Sequence, residues 1–269
     1  MSEPVVIKLG GSVLTGKRAY ARAAAWLADR VFGPLAVSER DARVERPLLV
    51  VVSAEQGTTD GLLAEAESIA ETPDARALDL LCATGELRSA ALLALHLQAR
   101  GVPACALNAH ETGIERDGER LRVRTAELVR ALETHAVVIV PGFLGATPRG
   151  TIVSLGRGGS DLSAVTLAVA LDADRCELIK DVPGYFTADP AQTSDARHLP
   201  HIDFDTAISM AADGCDLVQR AALETAQAEG LRLVITTLRA DDRRTIVDTK
   251  GIRHAICHQD HSCRAAVGA

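Results

Sequence analysis

The sequence predicts an α/β protein with a mainly parallel central sheet and helices on both faces, and three observations carry that prediction. Hydrophobic residues make up 47% of the 269 positions but aromatics only 3%, so the core is built from Ala, Val, Leu and Ile. Leu48–Val52 and Val137–Val140 are continuous apolar runs, the mark of strands buried on both faces. Each such run ends in a glycine-rich or polar segment, and in an open α/β sheet the loops at the carboxyl ends of strands converge on one ligand crevice.

Taken in order, Val5–Leu9 reads as the first strand and ends in Gly10-Gly11-Ser12. A helix is expected around Tyr20–Val31, with Trp26 on its buried face, followed by an exposed charged loop over 37–47. The buried strand Leu48–Val52 leads through the polar loop Ser53–Asp60 into a helix. A long helix is expected from about Gly85-Glu86 to Gly101, a glycine that suits the C-cap. Pro103–Leu107 reads as a short strand, and the Asp117-Gly118 turn between two short runs as a hairpin. After Val137–Val140 come Pro141-Gly142-Phe143, a glycine loop and a helix. Cys176–Lys180 and Leu231–Thr237 are the remaining strands, followed by a short Thr-Ile-Val-Asp segment. The crevice should therefore gather Lys8–Ser12, Ser53–Asp60, Phe143–Gly145, Gly156–Asp161 and Lys180–Asp189.

The formal net charge of −7 argues against a nucleic-acid surface. No leader pattern opens the chain and no apolar run approaches the roughly 18 residues of a membrane span, so a soluble cytoplasmic protein is expected. The six cysteines show no CxxC spacing, and four sit in apolar or helical contexts that suit buried thiols. The tail from His254 to Cys263 is dense in possible metal ligands but matches no zinc spacing. No metal ligands are assigned.

The densest chemistry lies in Ser154-Leu-Gly-Arg-Gly-Gly-Ser-Asp161, ahead of an apolar helical segment. Glycines there let backbone amides and a helix N-terminus approach an anion. Arg157 between glycines suits bidentate carboxylate binding, the alternative being a plain surface arginine. Asp161 is either an N-cap or a group that orients Lys8 and a second cation about a transferring phosphoryl group. Lys8 stands before two glycines without Walker A spacing. Glu86 is either a first-turn acid or the partner of a substrate ammonium.

Together VVIKLGGSVL, VVVSAEQGTTDGLL, TGELRSAALLALHLQARGVPA, VPGFLGATPRGTIVSLGRGGSDLSA, IKDVPGYFTADP and the segment from Asp203 to Thr236 resemble the amino acid kinase family. The likeness is to its aspartokinase branch and spans nearly the whole chain in order. It implies a three-layer α/β/α sandwich over residues 1–250, with a substrate lobe to about 150, a nucleotide lobe beyond and a tail at 251–269. It implies transfer of a phosphoryl group from ATP, with Mg²⁺, to an amino-acid carboxylate. By motif position Lys8 stabilises that group and Asp161 organises the lysine, while Ser53, Thr59, Glu86 and Arg157 hold the amino acid. Gly10, Gly11 and Ser12 form the phosphate-side loop, and Lys180, Asp181, Tyr185, Phe186 and Asp189 fall on the nucleotide side. A homodimer is implied by the resemblance alone.

Four departures bear on that reading. The family's KFGGTS is KLGGS here; Phe186 and Ala191 replace a tyrosine and an arginine; and Asp216 stands where GAKVLH carries a phosphate-contacting lysine. Even at an effective dielectric near 20, one charge at about 4 Å is worth roughly 4 kcal/mol before screening, so the nucleotide grip looks weakened. The chain also stops where aspartokinases continue into ACT domains, so feedback through the usual site is not expected. Besides an aspartate-type kinase, two alternatives stay open: a relative acting on another carboxylate or phosphate, and a catalytically weak ligand-binding subunit.

Overall fold

A computed structural model describes residues 4–32, 46–118, 120–239 and 243–250. The expected charged loop over 37–47 falls almost wholly outside these residues, and the His/Cys-rich tail falls outside them entirely. The elements run β1 (Val5–Leu9), α1 (Gly11–Leu14), α2 (Ala19–Phe32), β2 (Leu48–Val52), α3 (Thr58–Ile69), α4 (Ala75–Gln98), β3 (Ala104–Ala106), β4 (Ile114–Asp117), β5 (Arg120–Val123) and α5 (Ala126–Thr134). They continue through β6 (Val137–Pro141), β7 (Leu144–Ala146), β8 (Ile152–Ser154), α6 (Gly159–Ala170), β9 (Arg175–Ile179), β10 (His201–Ile202), α7 (Phe204–Ala212), α8 (Arg220–Ala228), β11 (Arg232–Thr236) and β12 (Thr245–Val247).

The main sheet has the order β10-β12-β11-β9-β1-β2-β6-β3, and every pairing in it is parallel except β11 with β12. Strand alternation divides its apolar side chains between two cores. Val6, Leu49, Val51, Cys176 and Leu178 face α5, α6, α7 and α8, whereas Ile7, Leu9, Val50, Val52 and Ile139 face α2 and α4. This is the α/β/α sandwich, with a core built mostly from Ala, Val, Leu and Ile. A smaller sheet, β5-β4-β7-β8, contains the expected hairpin and brings Ser154, the first residue of the glycine motif, beside α4.

Helix α4 corrects two expectations. It begins ten residues before Gly85, where Asp74 caps it by accepting from the Ala77 amide at 2.9 Å. The Pro73-Asp74 pair is a start signal of ordinary kind, overlooked because Gly85 reads as a break. By length and composition α4 is also apolar enough to cross a membrane, although charged residues interrupt the run. Half of that stretch is buried inside the fold, against α2, α3, β3, β6 and β8. Cys82, Cys176 and Cys215 are buried and Cys105 is partly so, as their contexts suggested.

Candidate active site

Lys8 lies on the α6-facing side of β1, one strand step beyond Val6, and is buried. Gly156 and Gly158 turn the chain at φ +82° and +74°, a region L side chains avoid, and α6 then starts at Gly159. Asp161 therefore sits in the first turn of α6, directly over the ends of β1 and β9. Its carboxylate does not cap the helix. Lys8 Nζ stands 2.8 Å from Oδ1, and Lys180 Nζ reaches both oxygens at 3.0 and 2.8 Å. The Gln219 amide donates to Oδ2 at 3.3 Å.

Two ammonium groups thus share one buried carboxylate. The lysines hold the Asp161 carboxyl well below the ordinary carboxylate range despite its burial. Burial is also the main reason that Lys180 falls from 10.5 to about 8, with Lys8 adding repulsion and Asp161 opposing both. The cluster keeps a surplus positive charge, which an arriving anion would neutralise.

This cluster forms one wall of a cavity of about 730 Å³. Ser53, Thr59, Glu86, Arg157 and Asp216 line the same cavity. Glu86, on α4, is buried; its Oε1 accepts from the Ala54 amide at 3.2 Å and its Oε2 has no partner among the described residues. Burial raises this carboxyl from 4.5 to about 7. A buried, half-satisfied carboxylate facing an open cavity is arranged to receive a cation. Arg157 lines the same cavity, is exposed and makes no ion pair among the described residues. The site therefore offers an acceptor for an ammonium, a guanidinium for a carboxylate and paired lysines for a second anionic group.

The remaining expected residues are placed differently. Gly10, Gly11 and Ser12 follow Lys8 but do not line the cavity. Gly11 has a packing reason of its own, because a Cβ there would lie 2.5 Å from the Ala54 carbonyl oxygen. Tyr185 is a correction: it is turned into the core, fully buried, and its hydroxyl has no partner among the described residues. Phe186 packs edge-on against His198 with the Arg243 guanidinium near its face. Asp189 accepts from the Ala191 amide in its own turn, and Asp181 is half-buried outside the cavity wall. Lys180 was expected on the nucleotide side and instead bonds Asp161, as the second cation that residue was expected to orient.

Gln219 is a residue that sequence reasoning missed. Its amide meets Asp161 and its side chain donates to the Arg157 carbonyl at 2.8 Å, so it ties the arginine loop to the carboxylate. The signal was its place at the end of Gly214-Cys-Asp-Leu-Val-Gln219, where only Asp216 was weighed.

A family model for the amino acid kinase family matches residues 3–237. The chain belongs to that family. It is similar to an aspartokinase of Thermus thermophilus, 43% identical over 191 residues that make up 69% of this chain and 47% of the relative. Among solved structures it resembles the aspartate kinase from Synechocystis, with a TM-score of 0.80 and 33% identity over 94% of this chain and 41% of that one. It also resembles E. coli aspartokinase III in complex with aspartate and ADP, with a TM-score of 0.78 and 25% identity over 92% and 65% of the two chains. The chain spans about half the length of the curated relatives it matches.

Proposed function

We propose that this protein is an ATP-dependent kinase that phosphorylates a side-chain carboxylate of aspartate, or of a closely related amino acid, to an acyl phosphate. The observation that carries the reading is the Lys8–Asp161–Lys180 cluster sharing one cavity with the unpartnered oxygen of Glu86 and the free guanidinium of Arg157. Glu86 takes the ammonium and Arg157 the α-carboxylate, so the second carboxylate points at the lysines. Catalysis is then positioning and charge neutralisation: two anions, a carboxylate and a phosphoryl group, must be brought together, and the lysines offset their repulsion. Asp161 keeps both ammonium groups in place without being consumed. The likeness to an aspartokinase that binds aspartate and ADP supports the same assignment.

On this proposal the acceptor lies against α4 and the nucleotide against the loop before α8, where Asp216 and Gln219 line the cavity. Mg²⁺ would enter on the nucleotide's phosphates, neutralising charge there. Both Asp161 oxygens are already engaged, and among the described residues no His, Cys, Asp or Glu cluster is arranged to hold a metal. Homodimer formation belongs to the proposal on the same likeness.

A coupled ADP-release assay with aspartate tests this reading, with other amino acids in parallel. Aspartate-dependent turnover that Lys8→Ala and Glu86→Ala each abolish is the expected result. No turnover with any amino acid, together with undetectable ATP binding, would favour the ligand-binding subunit, a reading that Asp216 motivates.

A further inference from the structure

The opposite face of the sheet carries a second, unrelated cavity. Arg175 and Glu177 on β9, Arg232 and Val234 on β11 and Ile246 on β12 point away from Asp161, because their neighbours Cys176, Leu178, Leu233, Ile235 and Val247 fill the core beneath α6, α7 and α8. Helices α2 and α4 cover the β1, β2 and β6 part of that face. Over β9, β11 and β12 no helix among the described residues lies, and a groove of about 500 Å³ opens there. An uncovered sheet face awaiting an apolar partner would be apolar. This one presents arginine, glutamate and threonine.

Its charge is lopsided. Among the described residues Arg30, Arg175, Arg232, Arg239 and Arg244 line the groove, against the single carboxylate of Glu177. Glu177 is buried and already satisfied by both guanidinium nitrogens of Arg30 and by Arg175 Nε at 3.0 Å. At the rim Asp174 holds Arg175 and Asp248 holds Arg232. Arg239 and Arg244 have no acidic partner among the described residues and stand exposed at the mouth. In a chain of net charge −7 such a concentration of guanidinium groups is out of keeping with the rest of the molecule. The fork geometry of guanidinium matches phosphate and carboxylate oxygens two at a time.

We infer that this groove is a binding site for a small multivalent oxyanion, a phosphate ester or a polycarboxylate, separate from the catalytic cleft. The anion contacts Arg239 and Arg244 and takes up the donors that Arg30 and Arg175 do not spend on Glu177. Trp26 forms part of the wall with the Arg30 guanidinium 4.4 Å from its ring centre. It is the sole tryptophan of the chain, so occupancy has a built-in reporter.

The test is a titration of the full chain with pyrophosphate and, separately, with citrate at constant ionic strength. Tryptophan emission and calorimetric heat are followed together, in the wild type, in Lys8→Ala and in the double variant Arg239→Gln/Arg244→Gln. Both substituted arginines are exposed, so the variant should fold normally, which circular dichroism checks. The inference expects saturable binding of at least one anion, unchanged by Lys8→Ala and weakened about tenfold per arginine removed. Pyrophosphate alone would identify a phosphate site, and equal binding of citrate a general oxyanion site. Absence of saturable heat with both anions overturns the inference. So does binding that survives in the arginine variant but is lost in Lys8→Ala, which would place the anion in the cleft.

Discussion

Replacing Glu86 by glutamine should remove a pH-dependent loss of stability from the ligand-free protein while destroying its acceptor binding. The cause is the burial that lifts this carboxyl from 4.5 to about 7. Between those values the folded state binds a proton that the unfolded chain releases, so stability is greatest at low pH and declines as pH rises to about 7. Carried through, the difference corresponds to about 3 kcal/mol lost by pH 8, as an order of magnitude. Glutamine keeps an oxygen for the Ala54 amide but leaves an amide nitrogen where Oε2 lacks a partner, which returns about 1–3 kcal/mol. The two effects nearly offset at pH 8, so the decisive quantity is the pH dependence. Urea unfolding of both proteins at pH 5 and pH 8 should show the variant gaining about 2–3 kcal/mol relative to wild type between the two. Aspartate should stabilise wild type at pH 8 and leave the variant unmoved. A stability difference between the two proteins that is the same at both pH values would refute the argument, because it would show that Glu86 does not titrate in this range.

Three further outcomes follow from the same geometry. Asp161→Asn strands two lysines in a buried site and should cost about 3–5 kcal/mol in urea unfolding, with turnover abolished; in wild type the contribution of Asp161 is present above the ordinary carboxylate range and is lost as acid drives the pH down through its lowered value, which an acid titration of both proteins will reveal. Gly11→Ala pushes a Cβ against the Ala54 carbonyl, the same residue whose amide holds Glu86, so KM for the amino acid should rise several-fold while KM for ATP changes less in steady-state kinetics. Asp216→Lys replaces an exposed acid on the cavity wall by a cation and should tighten ATP binding about fivefold to tenfold at low salt, as read by calorimetry; unchanged affinity would mean that this loop does not face the phosphates.

The strands were legible because their burial on both faces leaves no ambiguity: Val5–Leu9 and Leu48–Val52 appear in the structure with the predicted bounds. Helix α4 was not, since a glycine at its middle reads as a boundary. The fold explains that glycine by contact, because a Cβ on Gly85 would lie 2.8 Å from the Ala54 methyl group. The cavity wall was largely legible too, for Lys8, Ser53, Thr59, Arg157 and Asp161 sit at or just beyond strand ends or at helix starts that topology brings together, while Glu86 reaches the same cavity from the middle of α4. Tyr185 was misplaced because a tyrosine near a glycine turn carries no sign of which way its ring points. Its backbone is held by Thr245, sixty residues on, whose hydroxyl accepts from the Tyr185 main-chain amide.

The same limit explains why the arginine groove has no signature in the sequence. Its cations come from α2, β9, β11 and the segment before β12, and no two of them form a motif. Strand alternation assembles them. On β9 Cys176 and Leu178 support the core beneath the Lys8–Asp161 pair while Arg175 and Glu177 floor the groove, and Lys180 follows on the Asp161 side. A slip of one residue in the register of β9 against β1 would exchange these sets, putting Glu177 beside Asp161 and burying two like charges together. The electrostatics of the two faces therefore help to specify the register that creates them, and Lys180 and the buried carboxylate of Glu177 are opposite consequences of a single strand.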